Sequence, residues 1–127
     1  MEISTEINKE KNMRCHIVRG VVDISELTNC LKEIYNSSDL DPDMNVFWDL
    51  QKADFSCISS ENVRSFMEYV VKQWGTGGKS KAALVVSDNF GYGMSRMYQM
   101  MMEGATSSEV AVFKDINKAK EWIEAET

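Results

Sequence analysis

The chain has 127 residues, 43% of them hydrophobic and 27% charged, and its 20 acidic and 14 basic residues give a formal net charge of −6. This length fits one domain, over residues 1–127, that can bury a core without metal or disulfide crosslinks. The negative charge and the lack of a basic cluster argue against nucleic-acid binding, which neutralises phosphates with lysine and arginine. They also argue against docking on an anionic membrane.

The cysteines and the hydrophobic runs indicate a cytoplasmic protein. Cys15, Cys30 and Cys57 cannot all pair and share no C-x-x-C spacing, so reduced thiols are expected. The N-terminus lacks the basic region and apolar core of a signal peptide. The clearest aliphatic run, Ala82 to Val86, has five residues, whereas a membrane span needs about 20. We therefore expect no transmembrane segment.

The first third of the chain predicts a β-hairpin followed by a helix. Apolar and polar residues alternate weakly in Ile3–Asn8 and more clearly in Met13–Val18, which is typical of two strands. The odd-numbered residues of the second strand share one face, and His16 falls on the polar face. The period then changes to that of a helix, which Asp23 and Glu26 are placed to cap. The apolar positions of that helix are Ile24, Leu27, Leu31 and Ile34.

The central segments predict a buried strand and a second helix. A polar stretch over residues 36–43 contains the only proline and predicts a loop. Val46–Leu50 is apolar on both faces until Asp49, as expected of an interior parallel strand. A helix is then expected from Ser59 or Ser60 to the glycine-rich residues 75–78, which end it. Its predicted buried stripe is Val63, Phe66, Met67, Val70 and Trp74.

The last third predicts two more strand–helix units. Lys81–Val86 is the clearest strand, and a helix is expected over about Asn89 to Glu103. Glu109–Phe113 is a short strand, and Asp115 is placed to cap a closing helix with Ile116, Ala119, Trp122 and Ile123 inward. The order is β-β-α-β-α-β-α-β-α. It indicates an α/β fold with a mostly parallel five-stranded sheet and helices on its faces, because parallel neighbours need crossovers.

Segments spread along the chain are similar to those of a known family. They are the end of the hairpin at Arg19–Asp23, the strand end Trp48–Leu50, the strand Ala82–Val86, the helix segment Ser95–Tyr98, and an ending with Phe113, Asp115, Ala119 and Trp122. In these residues the chain resembles the SpoIIAA-like branch of the STAS superfamily, over nearly its whole length. The resemblance implies a SpoIIAA/STAS-like fold and a bacterial signalling module that acts by binding rather than by catalysis. Some members of the superfamily are anti-sigma-factor antagonists, and other relatives are proposed to carry lipids or small apolar ligands.

Ser59 and Ser60 are the candidate phosphorylation or anion-binding residues. The antagonists carry their phosphorylated serine in an Asp-Ser-Ser-Gly motif at the corresponding helix start. Here the sequence is Cys57-Ile58-Ser59-Ser60-Glu61, so the match is partial: Ile58 takes the acceptor position and the glycine is absent. The alternative interpretation is an N-cap, since a serine oxygen satisfies backbone N–H groups at a helix start. Glu61 would repel a phosphate added at this helix N-terminus.

A candidate binding surface follows the Lys81–Val86 strand. Its residues are Ser87, Asp88, Asn89, Tyr92 and Arg96. This loop and the 56–60 loop both follow parallel strands, and open α/β sheets bind ligands at the carboxyl ends of their strands. Arg96, about two turns into the helix, is placed to reach an anion or a partner's carboxylate. The alternative for Arg96 is a solvated or ion-paired side chain.

Five of the nine methionines fall in the helix after this loop. Phe90, Met94, Met97 and Met101 form one stripe at helical spacing, and with Trp122 they are the candidate lining of an apolar pocket. Met100 falls on the opposite, polar face. Methionine stripes also serve as adaptable core filler, so a packed core is the alternative interpretation.

No residue pattern suggests catalysis. The one histidine has no serine, cysteine or carboxylate in a recognisable arrangement, and no Cys/His cluster offers metal ligands. We therefore expect no enzyme, cofactor or metal site. The leading hypothesis is a STAS-like regulatory or protein-interaction module with a protein partner. The alternative is a carrier or sensor of lipid-like, apolar small molecules. The exposed edge of the predicted hairpin is the candidate contact of a homodimer.

Overall fold

The strand and helix patterns of the sequence form in the expected order, β-β-α-β-α-β-α-β-α. The computed structural model describes residues 1–36, 43–74 and 80–125. Its elements are β1 (Glu2–Asn8), β2 (Met13–Val21), α1 (Ile24–Tyr35), β3 (Asn45–Asp54), α2 (Ser60–Trp74), β4 (Lys81–Val85), α3 (Asn89–Ala105), β5 (Glu109–Phe113) and α4 (Ile116–Glu124). The predicted glycine helix end at 75–78, and all of the predicted 36–43 loop except its two ends, lie outside the described residues.

The five strands form one mixed sheet in the order β1-β2-β3-β4-β5. β1 and β2 are antiparallel, and the other neighbours are parallel, as predicted. β2 runs further than its alternating pattern indicates, as far as Val21, because it pairs with β3 up to Asp54. A bulge between Ile17 and Arg19 interrupts this pairing, and Gly20 beside it has a φ of 87°, a conformation open to glycine.

Helices α1, α2 and α3 cover one face of the sheet, and α4 covers the other. The strand order never reverses, so crossovers of one hand place the three connecting helices on the same side. The larger core lies under α1–α3 and the smaller one under α4. Neighbouring residues of β3, Phe47 and Trp48, therefore enter different cores, which explains why this strand is apolar on both faces.

The prediction that His16 lies on the polar face of its strand is wrong. Arg14, His16 and Val18 are buried on the face of β2 that α1–α3 cover, and His16 has no exposed surface. Met13 and Cys15 point to the opposite face and pack against the smaller core. Since β2 is an interior strand covered on both faces, its alternation separates two cores instead of a core and solvent.

Short polar residues fix the starts of three helices. The Asp23 carboxylate accepts a hydrogen bond from the Glu26 N–H at 3.0 Å, which confirms the predicted cap of α1. Asp115 caps α4 in the same way, accepting from the Asn117 and Lys118 N–H groups. Asp88 caps α3 and accepts from the Gly91 N–H at 2.6 Å.

The three cysteines form no disulfide. Burial, with the nearby Glu6 carboxylate, raises the pKa of Cys15, so this thiol stays protonated at neutral pH. Within residues 1–36, 43–74 and 80–125, no helix is long and apolar enough to cross a membrane.

Candidate functional site

A cleft of about 80 Å³ lies between the sheet and the amino-terminal parts of α1, α2 and α3. The strands and their following loops supply Val18, Val22, Trp48, Leu50, Phe55, Ile58 and Leu84 to its lining. The helices supply Ile24, Leu27, Val63, Phe66, Met94, Ser95 and Tyr98. Apart from the Ser95 and Tyr98 hydroxyls and the Trp48 indole N–H, the described lining is apolar.

The cleft lies at the carboxyl ends of β2, β3 and β4, the end of the sheet where the sequence placed both candidate loops. The two loops meet there: a Cβ at Gly91 would lie 3.4 Å from the Phe55 ring and 3.0 Å from the Asp88 carboxylate. Glycine at position 91 therefore permits the close approach of α3 to the β3–α2 loop. Because the strand order has no reversal, the cleft lies beneath the helices and not at a switch point of the sheet.

The buried His16 packs against Trp48, one of the residues that line the cleft. The His16 ring centroid lies 4.3 Å from that of Trp48, which lines the cleft. The His16 Nδ1 is 2.9 Å from the Thr5 hydroxyl, and no described residue forms a hydrogen bond with its Nε2. Burial, with the charge of Arg14, lowers the pKa of His16 to about 3, so the ring is neutral at physiological pH.

The buried Arg14 and the partly buried Tyr35 and Tyr98 form a polar cluster on the same face. The Arg14 guanidinium lies 5.4 Å from the Tyr35 ring centroid, and burial lowers the pKa of Arg14 although Tyr35 opposes this shift. Burial raises the pKa of Tyr98, Tyr35 adds to the rise, and Arg14 opposes it. Tyr98 is therefore neutral at physiological pH, and its hydroxyl is a hydrogen-bond donor.

The sequence analysis predicts neither the polar cluster of Arg14, Tyr35 and Tyr98 nor the burial of His16. A signal was present, because Arg14 and His16 precede Val18 at intervals of two and so share its face of the strand. Charged side chains are rarely buried. The alternation therefore predicts that Arg14 and His16 face solvent, whereas both are buried.

The structure separates the residues predicted to line one apolar pocket. Met94 lines the cleft, whereas Met97 and Met101 pack against the larger core beside it. Phe90 is 49% exposed. Trp122 lies on the other face of the sheet, 5.8 Å from the Phe113 ring centroid. The prediction of one pocket from these five residues is therefore wrong.

The physical reason is the orientation of α3. Its buried residues are Gly91, Ser95 and Met102, so the inward-facing line of α3 lies one position away from the methionine stripe. The small residues Gly91 and Ser95 let α3 approach the sheet closely. A search for hydrophobic residues in the sequence does not identify such positions as buried. Met100, predicted to be exposed, is 60% exposed.

Ser59 caps α2, as in the N-cap interpretation. Its hydroxyl accepts a hydrogen bond from the Asn62 N–H at 3.2 Å and donates one to the Asn62 side-chain oxygen at 3.0 Å. That oxygen also accepts from the Ser59 N–H at 2.9 Å, which makes the cap reciprocal. Ser60 is exposed in the first turn of α2. Phosphorylation of either serine stays a prediction.

The residues of the candidate binding surface lie around the start of α3. The Ser87 hydroxyl donates to the Gln51 carbonyl at 2.7 Å, and Asp88 caps the helix. Lys114 links two further members, because its ammonium group donates to the Asn89 side chain and lies 5.4 Å from the Tyr92 ring centroid.

Arg96 lies on the exposed side of α3, away from the cleft. It donates to the Gln99 side-chain oxygen, and Gln99 in turn donates to Glu103 at 3.2 Å. These contacts run along the helix surface. They place Arg96 in an exposed polar row, in line with the solvated alternative for this residue.

Comparison with known proteins supports the fold. No family model matches the sequence, and no curated protein matches it. The structure is similar to the crystal structure of an uncharacterised DUF3478-family protein with a SpoIIAA-like fold from Shewanella loihica PV-4. The TM-score is 0.60 at 15% sequence identity, and the match covers 96% of this chain and 92% of the other. The chain thus has the SpoIIAA-like fold that its sequence predicted.

Proposed function

We propose that the chain is a non-enzymatic, STAS-like cytoplasmic module that holds a small apolar molecule in the cleft. The observation that carries the proposal is the apolar lining contributed by three helices and three strands. An engineered apolar cavity of about 150 Å³ binds benzene, and this cleft has about half that volume. It suits a ligand of a few carbon atoms or one end of a longer chain.

The chemistry of the lining favours binding over catalysis. Its described residues supply two neutral hydroxyls and no carboxylate, imidazole, thiol or ammonium group. General acid–base catalysis needs a group that exchanges protons near the working pH. His16, the nearest imidazole, lies behind Trp48, and its low pKa keeps it neutral.

Two measurements test the proposal. Native mass spectrometry of freshly purified protein should show an added mass on part of the 14.5 kDa chain. Titration with hexane should change the fluorescence of Trp48, which lines the cleft, in a Trp74→Phe, Trp122→Phe background where Trp48 is the one remaining tryptophan. A bare mass together with an unchanged Trp48 signal would reject the proposal.

A substitution inside the cleft localises the binding. Val63→Phe adds bulk to the lining and should abolish the hexane response. Val71→Phe makes the same change on the same helix, at a partly buried position outside the lining, and should leave the response intact. Both variants need an unchanged far-UV circular dichroism spectrum for the comparison to hold.

A protein partner is the second candidate. Phe90 and Tyr92, at the start of α3, are 49% and 37% exposed, and aromatic side chains are enriched at protein interfaces. Affinity capture with wild type should recover a protein that Phe90→Ser and Arg96→Glu lose. Lys120→Glu, a charge change on the opposite face of the sheet, should retain it. Equal recovery by all four proteins would remove this surface from consideration.

A homodimer through the hairpin is the form of self-association that the fold favours. β1 is an edge strand that pairs with β2 on one side, and open edges invite pairing. Light scattering during gel filtration should then give twice the 14.5 kDa of one chain. A monomer mass at all concentrations would reject the dimer.

A further inference from the structure

The hydroxyls of two residues that line the cleft form no hydrogen bond in the described part of the protein. Ser95 is 4% exposed and lines the cleft, and Tyr98 follows it three residues later on the same helix face. None of the hydrogen bonds found among the described residues involves either hydroxyl. Both hydroxyls are therefore available to donate a hydrogen bond, and the Tyr98 hydroxyl also interacts electrostatically with Arg14 and Tyr35.

Two other hydroxyls, of Thr28 inside α1 and of Thr106 directly after α3, bond to the preceding turn of the helix. Thr28 donates to the Ile24 carbonyl at 2.7 Å, and Thr106 donates to the Met102 carbonyl at 2.8 Å. This bond to the preceding turn is the usual way for a serine or threonine to satisfy its hydroxyl in a helix. Ser95 makes no such bond to the Gly91 carbonyl. Its hydroxyl is available to a group inside the cleft.

We propose that the ligand of the cleft is amphipathic: a short apolar chain or ring that carries one oxygen acceptor, which Ser95 and Tyr98 bind by hydrogen bonds. This inference rests on the proposed function, because it names the class of molecule that the apolar cleft receives. A wholly apolar ligand strips water from the two hydroxyls without replacing its hydrogen bonds, and such displacement lowers affinity. A ligand with an oxygen acceptor replaces those bonds while its carbon atoms fill the apolar space.

Three six-carbon molecules that differ at one end test the inference. They are hexane, hexan-1-ol and hexanoate, titrated against the protein that retains Trp48 as its single tryptophan. At least one of the oxygenated molecules should bind about 10-fold more tightly than hexane, since two added hydrogen bonds are worth about that much. The alcohol and the carboxylate separate a neutral from an anionic acceptor.

Variants assign the advantage to the two hydroxyls. Ser95→Ala with Tyr98→Phe keeps the apolar shape and should reduce the difference between oxygenated ligand and hexane to about 2-fold or less. Ser65→Ala with Tyr69→Phe removes the same two groups from helix positions outside the cleft lining and should keep the full difference. Thermal unfolding of both double variants checks that each is folded at the titration temperature.

The outcomes distinguish the inference from the proposed function. If hexane binds as tightly as hexan-1-ol and hexanoate, the cleft is an apolar site and the inference is overturned. The inference is also overturned if the advantage of the oxygenated ligand survives in the Ser95→Ala, Tyr98→Phe protein. If none of the three ligands changes the Trp48 signal, the proposed function fails together with the inference.

Discussion

His16 is a titratable side chain with no exposed surface, so acidification tests what its burial contributes. In the folded protein burial and the charge of Arg14 lower its pKa from 6.5 to about 3. The unfolded chain therefore binds a proton near pH 6.5, whereas the folded chain stays neutral at this site until about pH 3. The contribution of the neutral, buried His16 to the free energy of unfolding is therefore fully present above pH 6.5, and it is lost as the pH falls from 6.5 towards 3.

The size of the loss follows from the pKa difference. Each pH unit below 6.5 removes about 1.4 kcal/mol from the free energy of unfolding, as long as the folded state remains unprotonated. At pH 5 the loss relative to pH 7.5 is about 2 kcal/mol. The test is clean because His16 is the only histidine in the chain.

Urea unfolding at pH 7.5 and pH 5, followed by circular dichroism, measures the effect. His16→Gln is the control, since it keeps a polar side chain beside Thr5 but does not titrate. The variant is expected to be less stable at pH 7.5, because it loses the contact with Trp48. Its loss on acidification should nevertheless be smaller than that of wild type by about 2 kcal/mol. Equal losses in the two proteins, at unchanged m-values, would refute the reasoning.

Two further predictions compare neighbouring positions. Ser59→Ala should lower the free energy of unfolding by about 1 kcal/mol because it removes the reciprocal cap with Asn62, whereas Ser60→Ala should change it by less than about 0.5 kcal/mol. Equal effects of the two serine variants, measured by urea unfolding, would contradict the cap. Met102→Ala should cost about 2–5 kcal/mol because Met102 is 6% exposed, while the 60% exposed Met100 should tolerate alanine within about 0.5 kcal/mol. Thermal melts of both methionine variants check this order.

The fold was predictable because local signals agree along the chain. Strand alternation, helical spacing and capping aspartates point to the same element order, and the Asp23 and Asp115 caps form as predicted. Parallel pairing follows from the alternation of strands and helices. The extension of β2 to Val21 was not predictable, because it depends on pairing with the end of β3 and not on the residues of β2 themselves.

The position of the candidate cleft in the fold was predictable, but its lining residues were not. The carboxyl ends of the strands follow from topology, and the cleft lies there. Which side chains enter it depends on the rotation of α3, and a stripe of hydrophobic residues fixes that rotation only to within about one position. The buried line passes through Gly91 and Ser95, whose small side chains carry little hydrophobic signal. The prediction that Trp122 lines the same pocket is wrong for another reason. Which face of the sheet α4 covers depends on the whole sheet and not on the residues of α4 alone.

The proposed function assigns the fold and the ligand specificity of this chain to different sets of residues. The SpoIIAA-like fold is shared with a protein only 15% identical to this one, so the architecture tolerates nearly complete replacement of side chains. A shared fold does not specify a ligand, because recognition depends on the side chains in the site. Most of the apolar residues of this cleft also belong to the larger core. Packing does not account for Ser95, whose buried hydroxyl forms no hydrogen bond with the Gly91 carbonyl one turn earlier in the helix. For the proposed ligand we therefore expect discrimination between molecules of equal size to depend on Ser95 and Tyr98, and substitution of these residues should change which ligand binds before it changes whether the chain folds.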